Sequence, residues 1–201
     1  MIVATPLNLP VIKPDNWDVF WNIWNTHAAD LTKVKMNTGS PIPVGEQAVW
    51  TGLDIFKSAR GYNTSWSAPF YDISKELPDM FNAIRQLPFA IERVRVIQSV
   101  KDIPAHSDDS TDRWNIRAMF HYTDPDPQWY FTKPGNRSER FFLNMPEDTN
   151  WFAYNDGHCW HGSVYNDQHQ KLLIQIYLLD DDVSSLLNSS IDKYKEYTIT
   201  L

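Results

Sequence analysis

At 201 residues the chain has the length of one domain, and a chain of this size buries about 70% of its unfolded surface without needing disulfides or a structural metal. Hydrophobic residues at 42% and aromatics at 14% exclude a disordered chain, and a single cysteine, Cys159, excludes a disulfide scaffold or a cysteine-based zinc site. Eighteen basic against 25 acidic side chains give a net charge of −7, which argues against sequence-blind nucleic-acid binding. No apolar run approaches the roughly 20 residues of a membrane span. Met1–Pro10 has no basic segment leading into an apolar core, so no export signal is expected and the cytoplasm is the expected location.

Prolines punctuate the first third of the chain, and two helices are predicted between them. Asp15 or Asn16 caps the first, which runs to about His27 with Trp17, Phe20, Trp21 and Trp24 on one face. These tryptophans read as core. The segment from Gly39 to Tyr71 reads as irregular with a few short strands, and Trp66 within it as part of a loop over a site. The second helix spans about Pro78 to Leu87, with Met80, Phe81, Ile84 and Leu87 as its apolar stripe, and Pro88 stops it.

From Phe89 onward the apolar period becomes two. Predicted strands are Ile91–Val100, Trp114–Tyr122, Gln128–Thr132, Glu139–Asn144, Trp151–Asn155, His158–Tyr165 and Lys171–Leu179. Short strands separated by Pro, Gly, Asn and Asp turns signal a sandwich or barrel. The expected class is α+β, mainly β, with N-terminal helices packed on the sandwich. It forms one domain over 1–201: a helical and irregular part at about 1–88, a β core at 89–180 and a C-terminal tail at 181–201.

Six histidines are few enough to weigh singly. His27 at a helix end and His169 in a turn read as surface residues. On an extended segment residues i and i+2 share a side, so His106 and Asp108 can face one metal ion. The competing reading is a solvated acidic loop, Asp108–Asp112. His161, 53 positions after Asp108, supplies a third ligand. Two histidines and one carboxylate make the facial triad of non-haem Fe(II) oxygenases, which leaves coordination positions open. His158 competes with His161 for the distal position. Three apart on a strand, the two face opposite ways, and His161 is favoured because it leads into a hairpin that places Lys171. In the strand Trp114–Tyr122, Trp114, Ile116, Ala118, Phe120 and Tyr122 form a core face. Asn115, Arg117, Met119 and His121 form a second face, which is either solvated or lines the mouth of a barrel.

His106-x-Asp108, His161 and Lys171 within a β-sandwich resemble the 2-oxoglutarate and Fe(II)-dependent dioxygenases. The stretch Asn115-Ile116-Arg117 with His121 resembles the equivalent strand of their aspartyl/asparaginyl β-hydroxylase branch. The resemblance covers about residues 90–180 and implies a double-stranded β-helix, a cupin-like jelly roll. It also implies Fe(II) held by His106, Asp108 and His161, which would serve as both metal ligands and catalytic residues. 2-Oxoglutarate would be bound by Lys171, Arg117, His121 and Asn115. The implied reaction consumes O2 and hydroxylates an unactivated C–H bond of a protein, peptide or amino-acid substrate, releasing succinate and CO2. Two departures stand out. The branch can lack the metal-binding carboxylate, whereas Asp108 is present. The usual base after the distal histidine is arginine, whereas Lys171 offers a point charge rather than a bidentate fork, so Arg117 is a rival anchor. The alternative function is a cupin-like metal- or ligand-binding protein without oxygenase activity, since one fold serves many roles.

Overall fold

The computed structural model of this protein describes residues 1–31, 50–59, 68–99, 101–108, 112–121, 129–165, 172–179 and 182–201. Antiparallel pairing dominates. The chain opens with β1 (Ile2–Pro6), α1 (Trp17–His27), β2 (Ala29–Asp30), β3 (Trp50–Lys57) and α2 (Pro78–Arg85). Strands β4 (Ile91–Ser99), β5 (Ile103–His106), β6 (Trp114–His121), β7 (Trp129–Thr132) and β8 (Phe141–Phe142) follow. Then come β9 (Trp151–Asn155), β10 (Trp160–Ser163), β11 (Leu172–Leu178), α3 (Ser184–Lys193) and β12 (Ile199–Thr200). One sheet has the order β12-β1-β9-β6-β11-β4-β3-β2 and the other the order β5-β10-β7-β8. From β4 to β11 the chain winds between them: β4, β6, β9 and β11 lie in the large sheet, and β5, β7, β8 and β10 in the small one. The result is a mainly β, two-sheet structure with few helices.

Each face of the large sheet has its own partner. Val94, Val96, Ile116, Ala118, Ile174 and Ile176 pack against Phe20 and Trp24 of α1, Met80 and Ile84 of α2 and Leu187 of α3. The opposite face brings Met119, Phe152 and Tyr154 against Trp129 and Phe131 of the small sheet. Strand alternation assigns side chains to these layers. Along β11, Leu172, Ile174, Ile176 and Leu178 are buried, while Leu173, Gln175 and Tyr177 are only half-buried. The half-buried set lies on the side away from the helices, where Leu173 packs against the cluster that joins the two sheets.

The two predicted N-terminal helices form, and their caps are shared. Asn16 Oδ1 accepts from the amides of Asp18 and Val19 at 2.9 and 3.2 Å and so caps α1. Asp15 reaches instead to α2, accepting from the amides of Asp79 and Met80 at 2.9 and 2.7 Å. Helix α2 ends at Arg85, short of the expected Leu87. The first third does more than supply helices, since β1 and β3 are full members of the large sheet. At the other end, where no element was expected, Ser184–Lys193 forms α3 and Ile199–Thr200 pairs with β1. The expected strand at 158–165 shortens to Trp160–Ser163, leaving His158 in the preceding turn. Among the described residues no helix is long and apolar enough to cross a membrane.

Strand β10 approaches its neighbours closely at Gly162. A Cβ there would stand 2.5 Å from Tyr130 Cζ and 2.6 Å from the Ile103 carbonyl oxygen, which already accepts from Tyr130 OH at 3.1 Å. Gly162→Ala is therefore expected to force β5 or β7 aside and to destabilise the fold by about 1–3 kcal/mol. Urea denaturation with an unchanged m-value reads that loss as a lower midpoint.

Candidate metal centre

Strands β5 and β10 carry the two histidines. In their antiparallel register His161 stands directly opposite His106, and the ring centroids are 4.5 Å apart. Asp108 follows β5 by two residues, turned to the same side. One ligand atom from each of His106, Asp108 and His161 lies within 4.8 Å of the others. His106 Nε2 is 3.2 Å from Asp108 Oδ1, and His161 Nε2 is 3.6 Å from Asp108 Oδ2. Both histidines are buried, whereas the Asp108 side chain keeps 44% exposure. The cluster thus opens to water on the carboxylate side.

The far nitrogen of each ring faces an acceptor. His106 Nδ1 lies 2.8 Å from the Pro104 carbonyl, which can only accept, so Nδ1 carries the proton. His161 Nδ1 lies 3.2 Å from Asp156 Oδ1, near enough for an ion pair but without hydrogen-bond geometry, and Asp156 Oδ2 accepts from Asn115 Nδ2 at 2.7 Å. The Asp156 carboxyl is fully buried. With its proton on Nδ1, His106 aims its Nε2 lone pair at the Asp108 carboxylate, and His161 Nε2 faces the same carboxylate. Acceptors facing acceptors at this spacing need a cation between them, and imidazole with carboxylate suits a divalent transition metal. In the bare protein a proton takes that role. Burial opposes charge on His106, but its hydrogen bond to Asp108 and the attraction of that carboxylate raise its pKa. Partial desolvation by the packed groups around it likewise opposes charge on Asp108, but His161, His106 and Arg117 together hold it well below the usual carboxylate range.

Aromatic and cationic neighbours complete the site. The Trp129 ring stacks on His161 at 5.5 Å with an 11° interplanar angle. Tyr154 OH lies 3.4 Å from His161 Nε2 and accepts from Arg117 Nη2 at 3.0 Å. Arg117 is buried, with Nη2 also 3.5 Å from Asp108 Oδ2. Desolvation disfavours the charged form of Arg117, but Tyr154, Asp108 and Tyr177 around it raise its pKa, so it stays cationic. Burial pushes the Cys159 thiol up to about 12, which leaves it inert as a nucleophile.

The structure therefore brings together His106, Asp108 and His161 with Arg117 beside them, and Asn115 meets the group through Asp156. His121 ends β6 opposite Leu172. Lys171, His169 and Trp66 lie outside the described residues. His158 stands apart from the cluster, with Nε2 3.2 Å from Asp112 Oδ1 at the protein surface. Asp156, Tyr154 and Trp129 are the members that sequence reasoning did not single out. Asp156 had one available signal, a carboxylate five residues before the distal histidine at a tight turn.

No protein-family model matches the chain, and no curated protein matches it. Among solved structures it is similar to an oxidoreductase of the 2OG-Fe(II) oxygenase family from Burkholderia pseudomallei. That similarity covers 85% of this chain and 96% of the other, with a TM-score of 0.41 and 8% sequence identity.

Outer partners that fix a ligating histidine are typically worth about 10–100-fold in metal affinity. Asp156→Asn is expected to weaken Mn(II) binding within that range, and Asn115→Ala to weaken it less. Isothermal titration of the purified protein with Mn(II) measures both.

Proposed function

We propose that this protein is an Fe(II)- and 2-oxoglutarate-dependent dioxygenase that hydroxylates a protein, peptide or amino-acid side chain. The observation that carries this reading is the convergence of the His106 and His161 Nε2 atoms on Asp108, half open to water and flanked by the buried cation Arg117. A plain metal-storage site has no use for a guanidinium at its edge, because like charge weakens cation binding. A cation beside a metal is useful when an anion must be held there too. The winding of β4 to β11 between two sheets supports a double-stranded β-helix, whose interior would hold the reactants.

In this reading His106, Asp108 and His161 hold the metal, and iron with 2-oxoglutarate supplies the oxidising power for C–H hydroxylation, with succinate and CO2 as co-products. The rest is the work of the chain. Arg117 and Lys171 are the rival anchors for the far carboxylate of the co-substrate. The Pro104 carbonyl holds His106 in the tautomer whose Nε2 is free to ligate, and the buried Asp156 carboxyl stands 3.2 Å from the far nitrogen of His161. Trp129 and Tyr154 wall off His161 from bulk water. The resemblance to the aspartyl/asparaginyl β-hydroxylases favours a side chain or amino acid as prime substrate.

The test is Fe(II)-dependent release of succinate from 2-oxoglutarate. His106→Ala, Asp108→Ala and His161→Ala are each expected to abolish it, and His158→Ala to retain most of it. If Lys171 is the main anchor, Lys171→Ala raises KM for 2-oxoglutarate by two to three orders of magnitude, roughly what losing one partner of a buried ion pair implies, and Arg117→Ala does less; the opposite pattern makes Arg117 the anchor. Independently of turnover, Mn(II) with 2-oxoglutarate should raise the melting temperature. No shift at saturating concentrations of both would refute the oxygenase reading.

A further inference from the structure

Of the three candidate ligands, Asp108 is the one that no strand holds. It lies two residues past the end of β5, and its side chain keeps 44% exposure. Among the described residues its carboxylate meets His106, His161 and Arg117, and the two histidines would share it with a metal. A ligating group works only when its neighbours hold it within about half an ångström of its position, and those neighbours must themselves be locked. Other contacts must therefore fix the chain on either side of Asp108.

Those contacts come from the turn ahead of His161. Before Asp108, Ser107 Oγ donates to the Asp156 carbonyl at 3.2 Å. After it, the Asp156 amide donates to the Arg113 carbonyl at 3.2 Å, and Asn155 Nδ2 donates to Asp112 Oδ1 at 2.6 Å. The last bond is short and ends on a carboxylate, and such charge-assisted bonds are roughly twice as strong as neutral ones.

Asn155 is a rigid post for this bond. It is 2% exposed, it closes β9 as the Cα partner of Trp114 on β6, and its Oδ1 accepts from the Gly157 amide at 2.9 Å. With Oδ1 committed to the turn, Nδ2 is directed at Asp112. His158 Nε2 stands 3.2 Å from the same Asp112 oxygen, but with side chains 33% and 74% exposed this outer pair contributes little. The turn also carries the buried Asp156 carboxyl beside His161 Nδ1. Residues 155–158 thus tie both flanks of Asp108 to the strand that presents His161.

We propose that Asp112 and Asn155 are positioning residues for the metal centre. Their hydrogen bond holds the chain that follows Asp108 against the turn leading to His161, and so sets the spacing between these two ligands. Neither residue belongs to the ligand cluster itself. The proposal rests on the metal-binding part of the oxygenase reading and is indifferent to the co-substrate.

The experiment titrates the purified protein calorimetrically with Mn(II), records the visible spectrum of the Co(II)-loaded form as a report on ligand geometry, and melts the metal-free protein alongside. Asp112→Ala is expected to weaken Mn(II) binding about tenfold, the low end for outer partners of ligating residues, and to alter the Co(II) spectrum. Asp112→Asn keeps the acceptor and should stay close to wild type. Asn155→Asp sets two carboxylates face to face and should weaken Mn(II) at least as much as Asp112→Ala. Combining Asn155→Asp with Asp112→Asn exchanges donor and acceptor, and affinity should return to within about threefold of wild type, the coupling expected of residues in direct contact. Should Asp112→Ala not fold, the exchange alone decides. A purely structural contact would lower the melting temperature of the metal-free variants and leave Mn(II) affinity and the Co(II) spectrum unchanged, which would overturn the proposal. Failure of the combined variant to recover affinity would overturn it as well. A wild-type protein that takes up no Mn(II) sinks the metal reading and this proposal with it, whereas wild-type affinity in Asp112→Ala removes the proposal alone.

Discussion

The candidate centre depends on the register of β10 against β5. His106 and His161 are Cα partners across that pair, and a slip of one residue would turn every β10 side chain to the opposite face. Three contacts hold the register. Gly162 lets the backbone close on Tyr130 and Ile103, Trp129 on β7 stacks against His161, and Tyr130 OH ties β7 to the Ile103 carbonyl. The ligand set is therefore a product of small-sheet packing. Asp108, the one member placed past a strand end, is also the one that remains open to water.

A few charged side chains of this protein are buried rather than left at the surface. Arg93, Arg95, Arg117, Asp54 and Asp156 are all buried polar groups on or beside the large sheet. Burying charges is expensive unless each finds a partner, and a buried pair often gives no net stability over apolar packing. The helix-facing layer of Val94, Val96, Ile116, Ala118, Ile174 and Ile176 is apolar and supplies stabilisation. The division of labour follows the strand period: Val94 and Val96 pack beneath the helices, while Arg93 and Arg95, one residue out of phase, lie on the other face.

Much of this arrangement is legible in the sequence, for reasons that differ by residue. His106 and Asp108 declare themselves because i and i+2 share a side on extended chain, and β6 divides into its two faces as its alternation predicts. The asparagine cap and the apolar stripe mark α1 for the same local reason. Strand β1 escapes because four of its five residues are buried, so it shows no alternation. In β3, Gly52, Asp54 and Lys57 interrupt the apolar pattern, and Asp54 is tolerated only because Arg95, 41 residues away, meets it. Helix α3 is serine-rich, has no side-chain cap and buries only Leu187 and Ser190. The role of Asp156 depends on a turn that returns the chain beneath His161, a contact that no spacing rule encodes.

The crossed capping at Asp15 has a consequence for how the helical layer opens. Asn16 begins α1 and Asp15, its neighbour, satisfies the first amides of α2, so two helices separated by some fifty residues of chain share one anchor point. Fraying the start of α1 would pull Asp15 away and expose the α2 amides to water. The two helices should consequently open as one cooperative unit, with amide hydrogens of Asp79 and Met80 exchanging together with those at the head of α1. Because both helices cover the apolar face of the large sheet, that unit can loosen without disturbing the ligand-bearing strands on the other side.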